Sequence, residues 1–313
     1  MNGDQRIGCH WTALQRHGHV EFPGIPLTST ANSEINGLTL YSVGKATVID
    51  HVQVSYSGDD SYEWFGGNVN AKYLVALGGL DDGFDSDNGF SGKIQFGLIL
   101  QDPAKSDQSG SNAFETDNDA DGSLLTPVTS PLFSNITAYG PYTVASTLPA
   151  GSKHEKALHL RRGTMTSVYN SVFAGFPEGL SIDGQKGNSP ARADLNDLQL
   201  ENVIMAGMTV NYVEKTGTVA TPYTVVQHET YFRATARNNR DDMTLTDIIG
   251  SSLINLKSPA LIPPAGSVLL TGASFTNSRL TDPFFTAVTY RGAFGTQDWT
   301  SGWCNWDPQN AVY

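Results

Sequence analysis

Carboxyl groups recur at matching positions in three short segments of the chain. Each segment begins with an aromatic residue and has an acidic residue in second place: Glu63 in YEWF, Asp85 in FDSD and Glu115 in FETD. The fourth position is also acidic in two of them, at Asp87 and Asp117. Side chains of a β-strand alternate between two faces, so the second and fourth positions point away from the face that carries the aromatic rings. We call Glu63, Asp85 and Glu115 the acidic ladder.

Carboxylates stacked on neighbouring strands repel each other. At a separation of about 5 Å and an effective dielectric of about 20, one pair costs about 3 kcal/mol. Two arrangements relieve this repulsion: a bound cation, or raised pKa values that keep some carboxyl groups protonated. The first predicts calcium binding and the second predicts acid/base catalysis.

A second acidic pattern favours calcium. Asp117, Asp119 and Asp121 alternate in DNDADG, as in the first half of a calcium-binding loop. The twelfth position holds Val128 instead of Glu, so we expect a ladder carboxylate to complete the coordination shell. Asp87, in a looser acidic cluster, is the fourth predicted calcium ligand. The alternative is that these aspartates only accept hydrogen bonds from their own turns.

The ladder also has the composition that glycoside hydrolysis requires. That reaction uses one protonated and one ionised carboxyl group, and neighbouring strands would hold them near the separation of retaining enzymes. We predict Asp85 and Glu115 as the catalytic pair, with Glu63 as a third catalytic candidate. His159 and Arg161, at the matching positions of a later segment, are predicted to orient a substrate carboxylate or to transfer a proton.

A second acidic row precedes the first two ladder segments. It consists of the pairs Asp59–Asp60 and Asp81–Asp82. The paired aspartates resemble the arrangement in pectin-cleaving β-helix hydrolases, although the surrounding sequence signatures of those enzymes are absent. We assign these residues to substrate binding. Trp64 is a further substrate-binding candidate, although the strand alternation directs it inward.

The ladder segments belong to an internal repeat of about 22 residues. Residues 50–67 align without gaps on residues 72–89, so that Val52 falls on Leu74. Each unit consists of two short β-type segments separated by Gly/Asp turns. Such units cannot bury a core alone and must stack. The pattern therefore predicts an all-β fold, a parallel β-helix of seven or eight coils.

The repeat also sets the predicted domain boundaries. Residues 1–17 match no repeat, and residues 18–260 form the coils, with loops inserted at 101–125 and 207–240. Residues 261–313 lose the period and are rich in aromatic residues. Because the open end of a solenoid must be covered, we predict that they form a C-terminal cap. The alternative is a sugar-stacking platform.

Composition excludes several classes of protein. The 313 residues include 19 Lys and Arg against 31 Asp and Glu, which gives a net charge of −12. Such a field repels phosphate backbones, so we expect no nucleic-acid partner. No stretch approaches 18 apolar residues, which excludes a membrane-spanning helix. Only 16% of the residues are charged, far below the content of a coiled coil.

Several segments resemble a family of secreted, repeat-containing proteins of Bacteroidetes-type bacteria, which often carry a C-terminal sorting tail. The resemblance extends from about residue 20 to the end, and these segments carry it: EFPGI, EINGLTL, IDHVQVSYSGDDSYEWFGG, DDGFDSDNGFSGKIQFG, SGSNAFETDND and YRGAFGTQDWTSGWCNWDPQN. It implies a right-handed parallel β-helix and an extracellular or cell-surface location. It implies no settled activity. The sequence departs from this pattern at both ends, because residues 1–17 match nothing in it, with no visible signal peptide, and no sorting tail follows Tyr313, so we expect it to be a fragment or to begin at an internal start.

Three functions remain open at this stage. The first is a calcium-stabilised glycoside hydrolase that acts, as a monomer, on an extracellular polysaccharide. The second is a glycan-binding or adhesive surface protein in which the ladder only holds a structural Ca²⁺ ion. The third is a calcium-assisted polysaccharide lyase, in which a basic side chain removes the proton next to a uronate carboxylate. Basic residues are scarce near the acidic positions, which favours the hydrolase over the lyase.

Overall fold

A computed structural model describes residues 18–21, 35–215 and 222–311 and contains two sheets whose strands are all parallel. This confirms the predicted parallel β-helix. The unmatched segment 1–17 lies outside the described residues. The first sheet contains β1 (Gly18–Glu21), β3 (Val48–Ser55), β5 (Asn70–Leu77), β7 (Lys93–Leu100), β9 (Leu132–Tyr139), β11 (Ser167–Tyr169), β12 (Val172–Ala174), β14 (Gln199–Glu201), β15 (Ile204–Ala206) and β17 (Arg240–Met243).

The second sheet has one strand in most coils and carries the acidic ladder. Its strands are β2 (Leu38–Tyr41), β4 (Tyr62–Phe65), β6 (Phe84–Asp87), β8 (Phe114–Thr116), β10 (Lys156–Leu160), β13 (Glu178–Ile182) and β16 (Val210–Tyr212). The α-helices are α1 (Ser189–Asp194), α2 (Val225–Phe232) and α3 (Leu245–Ile249), and 3₁₀ turns occupy Pro141–Thr143, Thr235–Arg237, Val268–Leu270, Ser278–Leu280 and Pro308–Asn310. None of the helices within the described ranges is long and apolar enough to cross a membrane.

The strand register follows the repeat. Val52 pairs with Leu74 in the first sheet, and Glu63 pairs with Asp85 in the second, as the alignment of the two units predicts. Two predicted loops are shorter than expected, however. β8 lies inside the predicted insertion 101–125, and β16 and α2 lie inside 207–240. β8 is the FETD segment that the ladder alignment identifies as a strand, whereas β16 and α2 have no counterpart in the repeat pattern.

Aromatic rings fill the interior beneath the acidic ladder. The first and third residues of β4, β6 and β8 point inward, and Trp64 stacks on Phe90 with ring centroids 5.4 Å apart. Phe84 and Phe114 are fully buried in the same cluster. Trp64 is only 1% exposed, so its ring cannot contact a ligand on the outer face. Its assignment as a substrate-binding residue is therefore wrong.

A column of left-handed residues interrupts the long strands of the first sheet. The column begins with aromatic rings and continues as asparagines, which tolerate this conformation better than most residues do. The rings of its first two members stack with centroids 4.4 Å apart. The φ angles are 54° at His51, 56° at Tyr73, 62° at Phe96, 57° at Asn135, 52° at Asn170, 57° at Asn202 and 52° at Asn238. One position is therefore non-extended in every successive coil.

The C-terminal part of the chain, residues 261–311, runs along the outside of the first sheet. We call it the strap. Its backbone is held by amide side chains of distant coils: Gln53 exchanges two hydrogen bonds with Asn305, and Gln95 exchanges two with Thr286. The prediction of a cap over the open end is therefore corrected to a lateral strap, because the long strands present a second apolar face that must be covered.

That second face explains why the long strands are almost continuously hydrophobic. In β5, Leu74 points to the inner core, whereas Val75 and Leu77 point outward and pack in a separate cluster that contains strap residues. Phe294 of the strap stacks on Trp299, with centroids 5.1 Å apart. The strap aromatics thus serve the packing of the first sheet. The second sheet keeps its outer face for the acidic residues.

Candidate active site

The acidic ladder forms on the outer face of the second sheet. Asp85 pairs in register with Glu63 on one side and with Glu115 on the other. Glu115 in turn pairs with His159 of β10, which pairs with Ser181 of β13. The predicted vertical alignment of these side chains is confirmed, and it follows from the parallel, in-register pairing of the strands, although the number of residues between successive coils varies.

The turns before the strands bring the second acidic row against the ladder. Ligand oxygens lie within 4.8 Å of one another in three overlapping groups, which share Asp60 and Asp85. We call the seven residues together the acidic cluster. The groups are Asp59–Asp60–Asp81, Asp60–Glu63–Asp85 and Asp82–Asp85–Glu115.

Hydrogen bonds fix the acidic turns in place. Asp60 accepts a hydrogen bond from the backbone N–H of Asp82 at 2.9 Å, and Asp82 accepts two from Asn112. Asp81 accepts a hydrogen bond from the hydroxyl of Ser109 at 2.8 Å through one oxygen. Its other oxygen is buried and accepts none from the described part of the chain. Asp60 and Asp82 therefore fix the conformation of the turns in addition to placing carboxyl groups in the cluster.

Burial and mutual repulsion raise the pKa values of most of this cluster. Burial, followed by the nearby charges of Glu115 and Asp82, raises the pKa of Asp85 well above its usual value. Burial and the charge of Asp59 raise the pKa of Glu63 to about 7, although Asn36 donates a hydrogen bond to Glu63. Such groups retain protons at a pH where ordinary carboxyl groups are ionised.

Glu115 shows the opposite behaviour. Burial by itself would raise its pKa, but a hydrogen bond from His159 and the charge of Arg161 hold the pKa of Glu115 below its usual value. The His159 Nδ1 atom lies 3.1 Å from Glu115 Oε2, and the Arg161 guanidinium forms an ion pair with the same carboxylate. Two neighbouring carboxyl groups of the cluster, Asp85 and Glu115, therefore have pKa values shifted in opposite directions.

Asp183 belongs to the site but is not among the site residues predicted from the sequence. Its Oδ2 atom lies 3.1 Å from His159 Nε2, so the imidazole is held between two carboxylates. Both ring nitrogens can donate at once only when each carries a proton. Asp183 occupies the fourth position of its repeat unit, the same column as Asp87 and Asp117. The sequence alignment therefore places Asp183 on the outer face of the sheet, but it does not predict that its side chain contacts His159.

The predicted calcium loop does not assemble. Asp117 is bound by two guanidiniums, from Arg161 Nε at 2.8 Å and from Arg162 Nη1 at 2.6 Å. Asp119 instead accepts hydrogen bonds within its own turn, including one from the Ser123 hydroxyl at 2.7 Å. Asp121 is exposed. The three carboxylates form no group of converging ligand atoms in the described ranges, so this prediction is wrong in geometry.

Asp87 also lies apart from the converging groups found among the residues described. Its carboxylate accepts a hydrogen bond from the N–H of Asn88, the next residue in the turn. The alternative interpretation, local turn stabilisation by Asp side chains, therefore describes both Asp87 and Asp119. The carboxylates whose oxygens do converge lie elsewhere in the described ranges and include Asp59, Asp60 and Asp81, in the turns before β4 and β6.

Comparison with protein-family models identifies a relationship. A family model described as a pectate-lyase-like beta helix domain matches residues 16–248, which include every strand of the second sheet and the whole acidic cluster. No curated protein matches the chain, and no solved structure matches it.

Proposed function

The chain belongs to the pectate-lyase-like β-helix family, and from that premise we propose that it is a glycoside hydrolase in which Asp85 is the general acid and Glu115 the nucleophile. Family membership suggests a polysaccharide-acting domain, either lyase or hydrolase. The choice of hydrolase is our inference from the site. We further propose that the protein acts as a monomer and outside the cell, where it would encounter polysaccharides.

The observation that carries this proposal is the opposite electrostatic state of two neighbouring carboxyl groups. The pKa of Asp85 is raised by burial and by the adjacent carboxylates, whereas His159 and Arg161 keep the pKa of Glu115 low. Environments that separate the pKa values of a carboxyl pair define the acid and the base of a glycosidase. Their oxygens lie within 4.8 Å of each other, closer to the retaining separation of about 5 Å than to the inverting one.

The reaction then proceeds in two displacements. Asp85 donates its proton to the glycosidic oxygen while Glu115 attacks the anomeric carbon, so the bond to the leaving sugar breaks and a glycosyl ester forms on Glu115. Asp85, now ionised, accepts a proton from a water molecule whose oxygen attacks the same carbon. The ester bond to Glu115 breaks, and both carboxyl groups return to their initial states.

His159 and Arg161 act through Glu115. Both donate to its carboxylate and keep it ionised before attack, and Asp183 holds the far side of the imidazole. This role replaces the predicted contact of His159 and Arg161 with a substrate carboxylate. A lyase would need one of these groups as a base. Arg161 is committed to Glu115 and Asp117, which supports the hydrolase over the lyase.

Calcium remains part of the proposal at a different position. The residues that fit are Asp59, Asp60 and Asp81, whose oxygens converge, and one buried oxygen of Asp81 accepts no hydrogen bond within the described residues. Oxygen ligands of this kind are those that Ca²⁺ prefers. A bound ion would supply positive charge that offsets the repulsion in the acidic cluster. The catalytic pair is not among these three ligands.

The decisive experiment is a carboxyl substitution series on a panel of soluble polysaccharides. Asp85→Asn and Glu115→Gln should each reduce the release of reducing ends by about 10³-fold or more, with melting temperatures that still indicate a folded protein. Asp242→Asn, on an exposed strand of the first sheet, is the matched control and should retain full activity.

Three outcomes would contradict the proposal. Turnover that survives both substitutions would remove the catalytic pair. Products with the ultraviolet absorbance of unsaturated uronides would identify a lyase. Tight binding of a glycan without any turnover by the unsubstituted chain would support a binding or adhesive protein.

A further inference from the structure

We propose that the substrate is an uncharged glycan, and that the stacked rings of Tyr41 and Phe65 bind one of its sugar rings beside the acidic cluster. This inference rests on the proposed function, because it names the substrate class of the same site. It also departs from the acidic polymers that the paired aspartates and the family description would suggest.

The first argument is the balance of charge on the outer face of the second sheet. In the described ranges, the guanidiniums of Arg161 and Arg162 face this set of carboxyl groups, and both are paired with Glu115 or Asp117. A substrate carboxylate placed there would add to the negative field without an uncommitted guanidinium as partner. The carboxyl groups are Asp59, Asp60, Glu63, Asp81, Asp82, Asp85, Asp87, Glu115 and Asp117.

The second argument is an exposed aromatic pair on the same face. Tyr41 pairs in register with Phe65, and their rings stack with centroids 4.6 Å apart and an interplanar angle of 7°. Tyr41 is 64% exposed, unlike the buried rings that point inward. Large apolar side chains left in solvent next to a polar site are typical of ligand-binding surfaces.

The position of this pair relates it to the catalytic carboxyl groups. Phe65 lies two residues after Glu63 in β4, so their side chains are on the same face about 6.6 Å apart along the strand. Glu63 pairs with Asp85 on the next strand. A sugar on the aromatic pair would therefore neighbour a sugar at Asp85. The apolar faces of uncharged sugars suit the rings, and their hydroxyl groups can donate to and accept from carboxyl groups.

The first test compares glycans that differ only in charge. Binding is measured for methyl-esterified against de-esterified homogalacturonan, and for N-acetylated chito-oligosaccharides against their deacetylated forms, together with neutral xylan, galactan and β-glucan. Each measurement is made with chelator and again with Ca²⁺. We expect an uncharged member to bind at least about tenfold more tightly than any polyuronide in both conditions. Tighter binding of a polyuronide or of a cationic oligosaccharide in either condition, or no binding of any uncharged glycan, would overturn the inference.

The second test addresses the aromatic pair. Tyr41→Leu and Phe65→Leu should raise KM for the uncharged substrate about threefold to tenfold and leave kcat unchanged. Val48→Ala, which removes exposed apolar surface from the first sheet, is the control and should not change KM. A lower melting temperature with unchanged KM would show that the rings only stabilise the sheet and would refute the subsite.

The two proposals can fail separately. If an uncharged glycan is cleaved but Asp85→Asn and Glu115→Gln retain turnover, the catalytic assignment is wrong and the substrate class stands. If the same substitutions abolish cleavage of a polyuronide, the substrate class is wrong and the catalytic assignment stands.

Discussion

The carboxyl groups of this site have pKa values shifted in different directions because their neighbours differ. Asp85 and Glu115 are adjacent on parallel strands, yet one has acidic neighbours and the other contacts His159 and Arg161. The repeat predicts that the two carboxyl groups are adjacent, since each occupies the second position of its ladder segment. It does not predict their protonation states. The protonation states depend on the conformations of long side chains, as the ion pairs of Asp117 with Arg161 and Arg162 illustrate.

At this scale we expect His159→Asn to shift the acid limb of the pH profile of kcat/KM to higher pH. The hydrogen bond from His159 helps to hold the pKa of Glu115 below its usual value. Without that bond the pKa of Glu115 rises, because one of the contributions that oppose burial is lost, and the carboxylate required for attack becomes protonated at a higher pH than in the unsubstituted protein. Initial rates across the pH range in buffers of constant ionic strength measure the shift.

A graded variant separates this role from a structural one. Asp183→Asn keeps His159 but removes the charge of its second partner, so it should move the same limb by a smaller amount. Neither variant should alter the basic limb, which reports the general acid. An acid limb that stays in place in both variants would show that His159 does not tune Glu115.

Elements that repeat were predictable, and elements that appear once were not. The strands follow the 22-residue unit because each coil must present the same inward positions to a shared core. The strap has no such constraint. Its contacts join residues up to 252 positions apart, such as Gln53 and Asn305, and no local pattern encodes them. Aromatic residues in the strap indicated that something is covered, but did not indicate which surface.

The contact of Asn170 with the strap gives a testable prediction at the scale of elements. Asn170 has a φ of 52°, and its side chain accepts from the N–H of Ser274 at 2.8 Å and donates to the Ser274 carbonyl at 3.0 Å. Asn170→Ala should lower the free energy of unfolding by about 3 kcal/mol, because it combines an unfavourable left-handed alanine with the loss of three side-chain hydrogen bonds, the third of them donated to Ser134 Oγ at 3.3 Å. Chemical denaturation measures this change.

Two further variants separate the contribution of the backbone conformation from that of the hydrogen bonds. Asn170→Gly avoids the cost of a left-handed conformation at a residue with a Cβ atom. It should therefore be less destabilising than Asn170→Ala, although it loses the same hydrogen bonds. Asn310→Ala, an exposed residue near the end of the strap, should change the free energy of unfolding by less than about 0.5 kcal/mol. Equal effects of Ala and Gly at position 170 would show that the left-handed conformation is not a significant cost.

For the whole molecule, the acidic cluster couples stability to pH. Burial is the main cause that raises the pKa of Glu63 from 4.5 to about 7 and that of Asp81 from 3.8 to about 7. A group whose pKa is raised by folding stabilises the protein below its unfolded pKa, and this contribution is lost as the pH rises through the folded value. In the presence of chelator, the melting temperature should therefore fall between about pH 4.5 and pH 7.5.

Calcium should reverse this loss at the upper end of the range. An ion that binds only the folded state stabilises it, so added Ca²⁺ should raise the melting temperature at about pH 7.5 and have little effect at about pH 4.5. Asp81→Asn should weaken both the pH dependence and the response to Ca²⁺. A melting temperature that does not respond to Ca²⁺ or to chelator would contradict the metal site without affecting the catalytic assignment.

The strap has a consequence for biosynthesis. Coils near the start of the chain leave the ribosome first and can stack as they emerge, but the outer surface of their long strands stays uncovered until residues near Asn305 are made. Nascent chains thus carry a wide apolar sheet for most of translation, a state prone to association with other chains. Completion of the fold waits for the slow closure of very long loops, so refolding from denaturant should show an early stacking phase and a late docking phase.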